Sequence, residues 1–62
     1  MKWTAVYVGG GGQARKVIEA DNEALAKRKA VAVAPQWWER VVLSDDGSLV
    51  VGACERGKRW TK

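Results

Sequence analysis

The only stretch with clear helix signals sits in the middle of the chain: Ile18-Glu19-Ala20-Asp21-Asn22-Glu23-Ala24-Leu25-Ala26-Lys27-Arg28-Lys29-Ala30. Both flanks read as β-structure. One helix between two β-rich halves leaves few architectures open. A helix and a sheet each have an apolar side that needs covering, so the helix is expected to lie on one face of a small sheet.

The signals within this stretch set its limits. Asp21 stands at the N-cap position, with Asn22 as the alternative, and Glu23 suits the positive end of the helix dipole. A period of 3.6 carries the helix over about residues 22–34, with Ala26, Ala30 and Val33 on one stripe and Ala34 at its edge. Pro35 ends it, because proline lacks the amide hydrogen and disfavours helical geometry at the residue before it. The stripe is made of small side chains, so the large core residues must come from the strands. Lys27 and Lys29 flank the stripe, and Arg28 points away from it, near Ala24, Val31 and Ala32.

Before the helix, residues 2–8 are rich in β-favouring types (Trp3, Thr4, Val6, Tyr7, Val8) and read as a strand. Gly9-Gly10-Gly11-Gly12 reads as a flexible hairpin loop, with an anion-binding backbone nest as the sharper alternative. A P-loop is disfavoured, since no Gly-Lys-Ser/Thr follows. Residues 13–20 read as the second strand, with Ile18 and Ala20 on the side facing the helix. After the helix, residues 37–43 read as the third strand. Ser44-Asp45-Asp46-Gly47-Ser48 reads as a hairpin turn with Asp46-Gly47 as its positive-φ pair, and residues 49–55 as the fourth strand. Gly57 suggests a further turn, after which residues 58–61 could add a short extension. The expectation is an α+β fold in a single domain, 1–62. It has a four-stranded, mainly antiparallel sheet with one helix packed on one face, in the order β-β-α-β-β.

Sixty-two residues bury only about 60% of the surface that the unfolded chain exposes, so such a domain is marginally stable. The single cysteine, Cys54, allows no internal disulfide, and the absence of histidine excludes a histidine-containing zinc site. The same absence removes the usual base for chemistry near neutral pH. Cys54 falls inside a strand as a small filler, and Asp45 and Asp46 are explained by turn chemistry. No enzyme, metal or cofactor is therefore expected. One cysteine fits a reducing cytosol, no apolar run approaches the roughly 20 residues that span a bilayer, and Met1-Lys2-Trp3-Thr4 lacks the apolar segment of a signal peptide. A cytoplasmic protein with no membrane attachment is expected.

Binding is the class that remains. The net charge of +4 and a pI near 9.7 favour nucleic acid or an acidic protein surface. The cations form three groups: Arg15 with Lys16; Lys27, Arg28 and Lys29; and Arg56, Lys58, Arg59 and Lys62. Read plainly, each is a solvated charged face. Read more sharply, they join on one surface to contact phosphates. Trp37 and Trp38, adjacent in a strand, would point to opposite faces, one into the core and one onto the uncovered face of the sheet. The exposed one could stack on a base or anchor a partner. An RNA-recognition sheet is disfavoured, because it needs two helices. An open sheet edge or an exposed tryptophan would allow a homodimer, but nothing in the sequence demands one.

Three short motifs carry a resemblance. Ile18-Glu19-Ala20, then Ala26-Lys27-Arg28-Lys29-Ala30, then Gly57-Lys58-Arg59-Trp60 near the end resemble the small phage-encoded anti-CRISPR proteins that act on type I-F systems. Those proteins have Ile-Glu-Ala leading into a helix with Ala-Lys-Arg-x-Ala, and end with Gly-Lys-Arg-Trp. The resemblance implies an inhibitor of a type I RNA-guided surveillance complex (Cascade), working in the cytoplasm of an infected bacterial host. It implies binding to the backbone subunits near the guide RNA and blocking of target DNA hybridisation, with some non-specific holding of double-stranded DNA. On this resemblance Lys27 and Arg28 make the contact, and Lys58 and Arg59 add charge. The chain departs from the family in its shorter glycine loop, in its apolar helix end at Val31-Ala32-Val33-Ala34, and in the Trp37-Trp38 pair. The alternative expectation is a small basic phage or prophage accessory protein that binds nucleic acid non-specifically.

Overall fold

Two adjacent positive-φ glycines close the first hairpin. Gly10 (φ 52°) and Gly11 (φ 80°) form a two-residue loop, the geometry whose twist matches that of paired strands. In the computed structural model, which describes residues 1–61, this loop joins β1 (Lys2–Gly9) to β2 (Gly12–Glu19). The chain continues through α1 (Glu23–Ala32), β3 (Arg40–Ser44), β4 (Val50–Glu55) and β5 (Trp60–Thr61). The sheet order is β2-β1-β3-β4-β5, and every neighbouring pair is antiparallel. β2 and β3 flank β1 and therefore run parallel to each other, with α1 as the connection that crosses from one to the other.

The fold class agrees with the sequence expectation, and several details correct it. The sheet has five strands among the described residues, because the extension after Gly57 pairs with β4: Cys54 lies opposite Trp60 and Ala53 opposite Thr61. The glycine run is not a four-residue loop, since Gly9 and Gly12 pair as the last rung of the β1–β2 ladder. The N-cap is Asn22, not Asp21. Its backbone is extended and its Oδ1 accepts the Leu25 N–H at 2.9 Å. Ala20 N–H still donates to Met1 O at 3.0 Å, so the ladder runs on to Ala20 and leaves Asp21 as the linking residue. In the β3–β4 turn Gly47 does not take positive φ. Asp45 Oδ1 instead accepts from both Gly47 N–H and Leu49 N–H, and Ser48 takes the left-handed conformation (φ 67°).

The third strand begins at Arg40, not at Trp37. Pro35 starts a turn in which Trp38 N–H donates to Pro35 O at 3.1 Å. The carbonyls of Gln36 and Trp38 are then taken by the Arg56 guanidinium, so they have no role in a strand ladder. Pairing resumes where Glu39 N–H donates to Val8 O at 2.9 Å.

The core lies between α1 and one face of the sheet. Trp3, Ala5 and Tyr7 from β1, Ile18 from β2, Val41 and Leu43 from β3, and Cys54 from β4 meet Ala26 and Ala30 of the helix. The alanine stripe lets the helix approach the sheet, and the strands supply the volume, as the composition of the stripe predicts. Val33 departs from the expected stripe: it is the C-cap residue and is exposed, while Leu25 and Ala34 pack against the core instead. On the other face no helix covers the sheet among the described residues. Arg15, Val6, Val42, Ala53 and Thr61 form one cross-strand row there, and Val17, Thr4, Ser44 and Val50 form another.

Candidate functional site

The basic residues divide into those that hold the fold together and those that have no partner in it. Lys16 Nζ donates to Val33 O at 2.6 Å, placing a cation at the negative end of the helix. Lys29 Nζ donates to Glu19 O at 2.7 Å and ties the last turn of α1 back to the end of β2. Lys27 pairs with Glu23 at 2.8 Å and lies 5.7 Å from the centre of the Trp60 ring. Arg56 donates to two loop carbonyls and sits 5.9 Å from the centre of the Trp38 ring. These four side chains perform structural work.

Arg15, Arg28, Arg40, Lys58 and Arg59 make no side-chain hydrogen bond or ion pair among the described residues. The structure gathers three of them. Arg40, Lys58 and Arg59 surround a shallow depression of about 290 Å³, floored by Ala53, Cys54 and Thr61, with Glu55 as its one carboxylate among the described residues. The turn between β4 and β5 builds it. Lys58 N–H donates to Glu55 O at 2.9 Å, and Gly57 takes φ 79°, which brings Lys58 and Arg59 over the end of β4. Arg40 arrives from β3 as the cross-strand neighbour of Glu55. Among the described residues, an oxyanion entering this depression would meet three cations against one carboxylate, in a place where two strands and a tight turn fix the backbone.

Cys54 lies under this groove and takes no part in its chemistry. Its side chain is buried, and its thiol donates to the carbonyls of Lys58 and Glu55 at 3.2 and 3.3 Å. Burial, and secondarily the charge of Glu55, push the thiol pKa above its ordinary value, which keeps it protonated and weakly nucleophilic.

The residues expected from the sequence fall in different places. Lys58 and Arg59 come together at the groove. Lys27 lies beside Trp60, so the middle of the helix adjoins the β5 edge of the sheet, and Arg28 points to solvent from the same helix. Lys29 is held by Glu19. Arg15 sits on β2, at the opposite edge of the sheet. Arg40 was not among the expected residues. Its signal was present, because alternation along Arg40-Val41-Val42-Leu43 puts Arg40 and Val42 on one side and the core residues on the other. The tryptophan pair does divide, although not as neighbours in a strand. Trp38 is buried, 6.3 Å edge-to-face from Tyr7, and Trp37 is 40% exposed. Trp37 stands over Gly12 at the end of the first hairpin, and not on the uncovered face of the sheet.

Among the described residues, no group of histidine, cysteine, aspartate or glutamate side chains is placed to hold a metal ion, and no helix is long and apolar enough to cross a membrane. Neither a family model, nor a curated protein, nor a solved structure matches the chain.

Proposed function

We propose that this protein acts by binding, as an inhibitor that docks on a type I RNA-guided surveillance complex and keeps target DNA from pairing with the guide. The choice of complex comes from the three-motif resemblance. The choice of surface comes from the geometry. The observation that supports it is the grouping of Arg40, Lys58 and Arg59 around one depression with no ion pair to any of them among the described residues. Such cations are available to phosphates or to the acidic groups of a nucleoprotein. Arg28, free on the outer side of the helix, is the second contact point.

Co-elution of the purified protein with purified type I complexes on size exclusion tests this reading. Pre-loading the complex with target DNA should abolish co-elution. A complex that binds the protein equally well with and without target DNA would exclude competition with hybridisation, and failure to co-elute with every subtype tried would remove the inhibitor reading. A second reading, non-specific binding of nucleic acid without any complex, is favoured by the same unpaired cations. Binding of duplex DNA at low salt, combined with failure to co-elute with any type I complex, distinguishes it.

A further inference from the structure

We propose that the free edge of β2 is a self-pairing surface, on which a second copy of this chain adds its own β2 antiparallel to the first. The edge is long, eight residues, and no other strand pairs with its outer side among the described residues. The direction of its backbone groups follows from the ladder. Ala20 N–H donates to Met1 O, so the pairs Trp3/Ile18, Ala5/Lys16, Tyr7/Ala14 and Gly9/Gly12 are the hydrogen-bonded ones. The N–H and C=O groups of Gln13, Arg15, Val17 and Glu19 therefore point outward, away from β1. Such a row is a template for another strand.

Side chains select the partner and the register. Val17, 67% exposed, stands in the middle of the row, with Arg15 two residues before it and Glu19 two residues after. With a two-fold axis at Val17, Val17 meets the second copy's Val17, and Arg15 lies directly opposite the second copy's Glu19, twice over by symmetry. Opposite charges facing across an antiparallel pair are stabilising. Moving the register one residue toward the hairpin sets Lys16 against Lys16, and one further sets Arg15 against Arg15. Moving it the other way brings Ile18, buried under the helix, to the axis and carries Arg15 past the end of the strand to Asp21. The central register alone pairs opposite charges within the strand. The one outward carbonyl already in use, that of Glu19, accepts from Lys29 and keeps a lone pair for the incoming Arg15 N–H. The Glu19 carboxylate also meets the N-terminal ammonium at 3.4 Å, an exposed contact that solvent weakens. Because the axis is perpendicular to the sheet, the two uncovered faces become one continuous face, lying on the side opposite the helices.

Sedimentation equilibrium and charge exchange test the proposal. The wild type should show a species of twice the chain mass of 6.8 kDa. Arg15→Glu alone, or Glu19→Arg alone, should raise the dimer dissociation constant at least about tenfold. Arg15→Glu combined with Glu19→Arg should restore it, since the exchanged pair is again opposite in charge. In a Cys54→Ser background, Val17→Cys should cross-link to a dimer on mild oxidation and Gln13→Cys should not. A wild type that stays monomeric up to about 1 mM overturns the proposal. So does a dimer indifferent to Arg15→Glu, or one cross-linked as readily through position 13. Circular dichroism of each variant separates loss of pairing from loss of folding.

Discussion

The Tyr7 hydroxyl, rising from β1, donates to the carbonyl of Ala30 in the last turn of α1. That carbonyl belongs to the group at a helix C-terminus that has no partner within the helix. Trp3, on the same strand face, does the equivalent at the other end, where its Nε1–H donates to Ala20 O at 3.1 Å just before the helix. The alanine stripe brings little area to the interface. The aromatic residues of β1 supply both the bulk and the polar tips that fix the helix at two points.

Replacing Tyr7 with phenylalanine keeps the ring and removes only the donor. Tyr7 is fully buried, so the Ala30 carbonyl would be left without a partner, a loss of about 1–3 kcal/mol. A urea titration should show a lower midpoint with an unchanged slope, and far-UV dichroism should show fraying at the end of the helix.

Stability should fall at alkaline pH. Tyr7 and Cys54 are both raised above their ordinary values of 10.0 and 9.0 because burial penalises the charged form. The unfolded chain releases these protons first, so the native state binds more of them and stability declines with rising pH. The contribution is fully present below the ordinary thiol value and is lost as pH climbs through the raised values. Melting temperatures measured across that range should drop for the wild type, and Cys54→Ala should flatten the first part of the drop.

Gly9 and Gly11 should respond very differently to alanine. A Cβ on Gly9 would lie 2.6 Å from Trp37 O and 2.7 Å from Glu39 N, at a φ of 155° that side chains rarely adopt. Gly11 has φ 80° and nothing within 4 Å. Gly11→Ala should cost about 1–2 kcal/mol from backbone strain alone. Gly9→Ala should cost more, because the loop carrying Trp37 and Glu39 must also move, and thermal denaturation of the two variants makes the comparison.

This pair shows where the sequence was readable and where it was not. Four successive glycines announce a loop, and two of them are one. Gly9 is glycine because a loop distant in sequence packs against its backbone, a long-range contact that no local pattern encodes. The β-rich flanks, the helix and the position of Cys54 in a strand were legible from periodicity and residue type. The fate of residues 36–39 was not, because Arg56, some twenty residues on, takes carbonyls that a strand would otherwise use. The groove was half legible: Gly57-Lys58-Arg59 is visible as a basic turn, but its pairing with Arg40 depends on the β3–β4 register.

Lys27 and Arg28 are neighbours with different duties. Lys27→Glu places a like charge four residues from Glu23 and removes the cation from Trp60, for a loss of about 1 kcal/mol. Arg28→Glu touches no partner and should leave stability within about 0.5 kcal/mol of the wild type. A binding defect in Lys27→Glu is therefore ambiguous, whereas one in Arg28→Glu at unchanged melting temperature assigns the outer helix face to the interface.

The groove makes a quantitative prediction for nucleic acid. If Arg40, Lys58 and Arg59 each neutralise one phosphate of a duplex, the logarithm of the binding constant should fall against the logarithm of salt with a slope of about −2.7. Each single change to glutamine should bring that slope about 0.9 closer to zero. The three residues reach the groove from a strand and from a turn, so their effects should be similar in size only if one ligand spans all three. A slope that moves for Lys58 and Arg59 but not for Arg40 would confine the contact to the turn. A slope unaffected by any of them would place duplex binding elsewhere on the molecule. Fluorescence anisotropy with a labelled duplex, repeated across a salt series for the wild type and the three variants, provides the measurement.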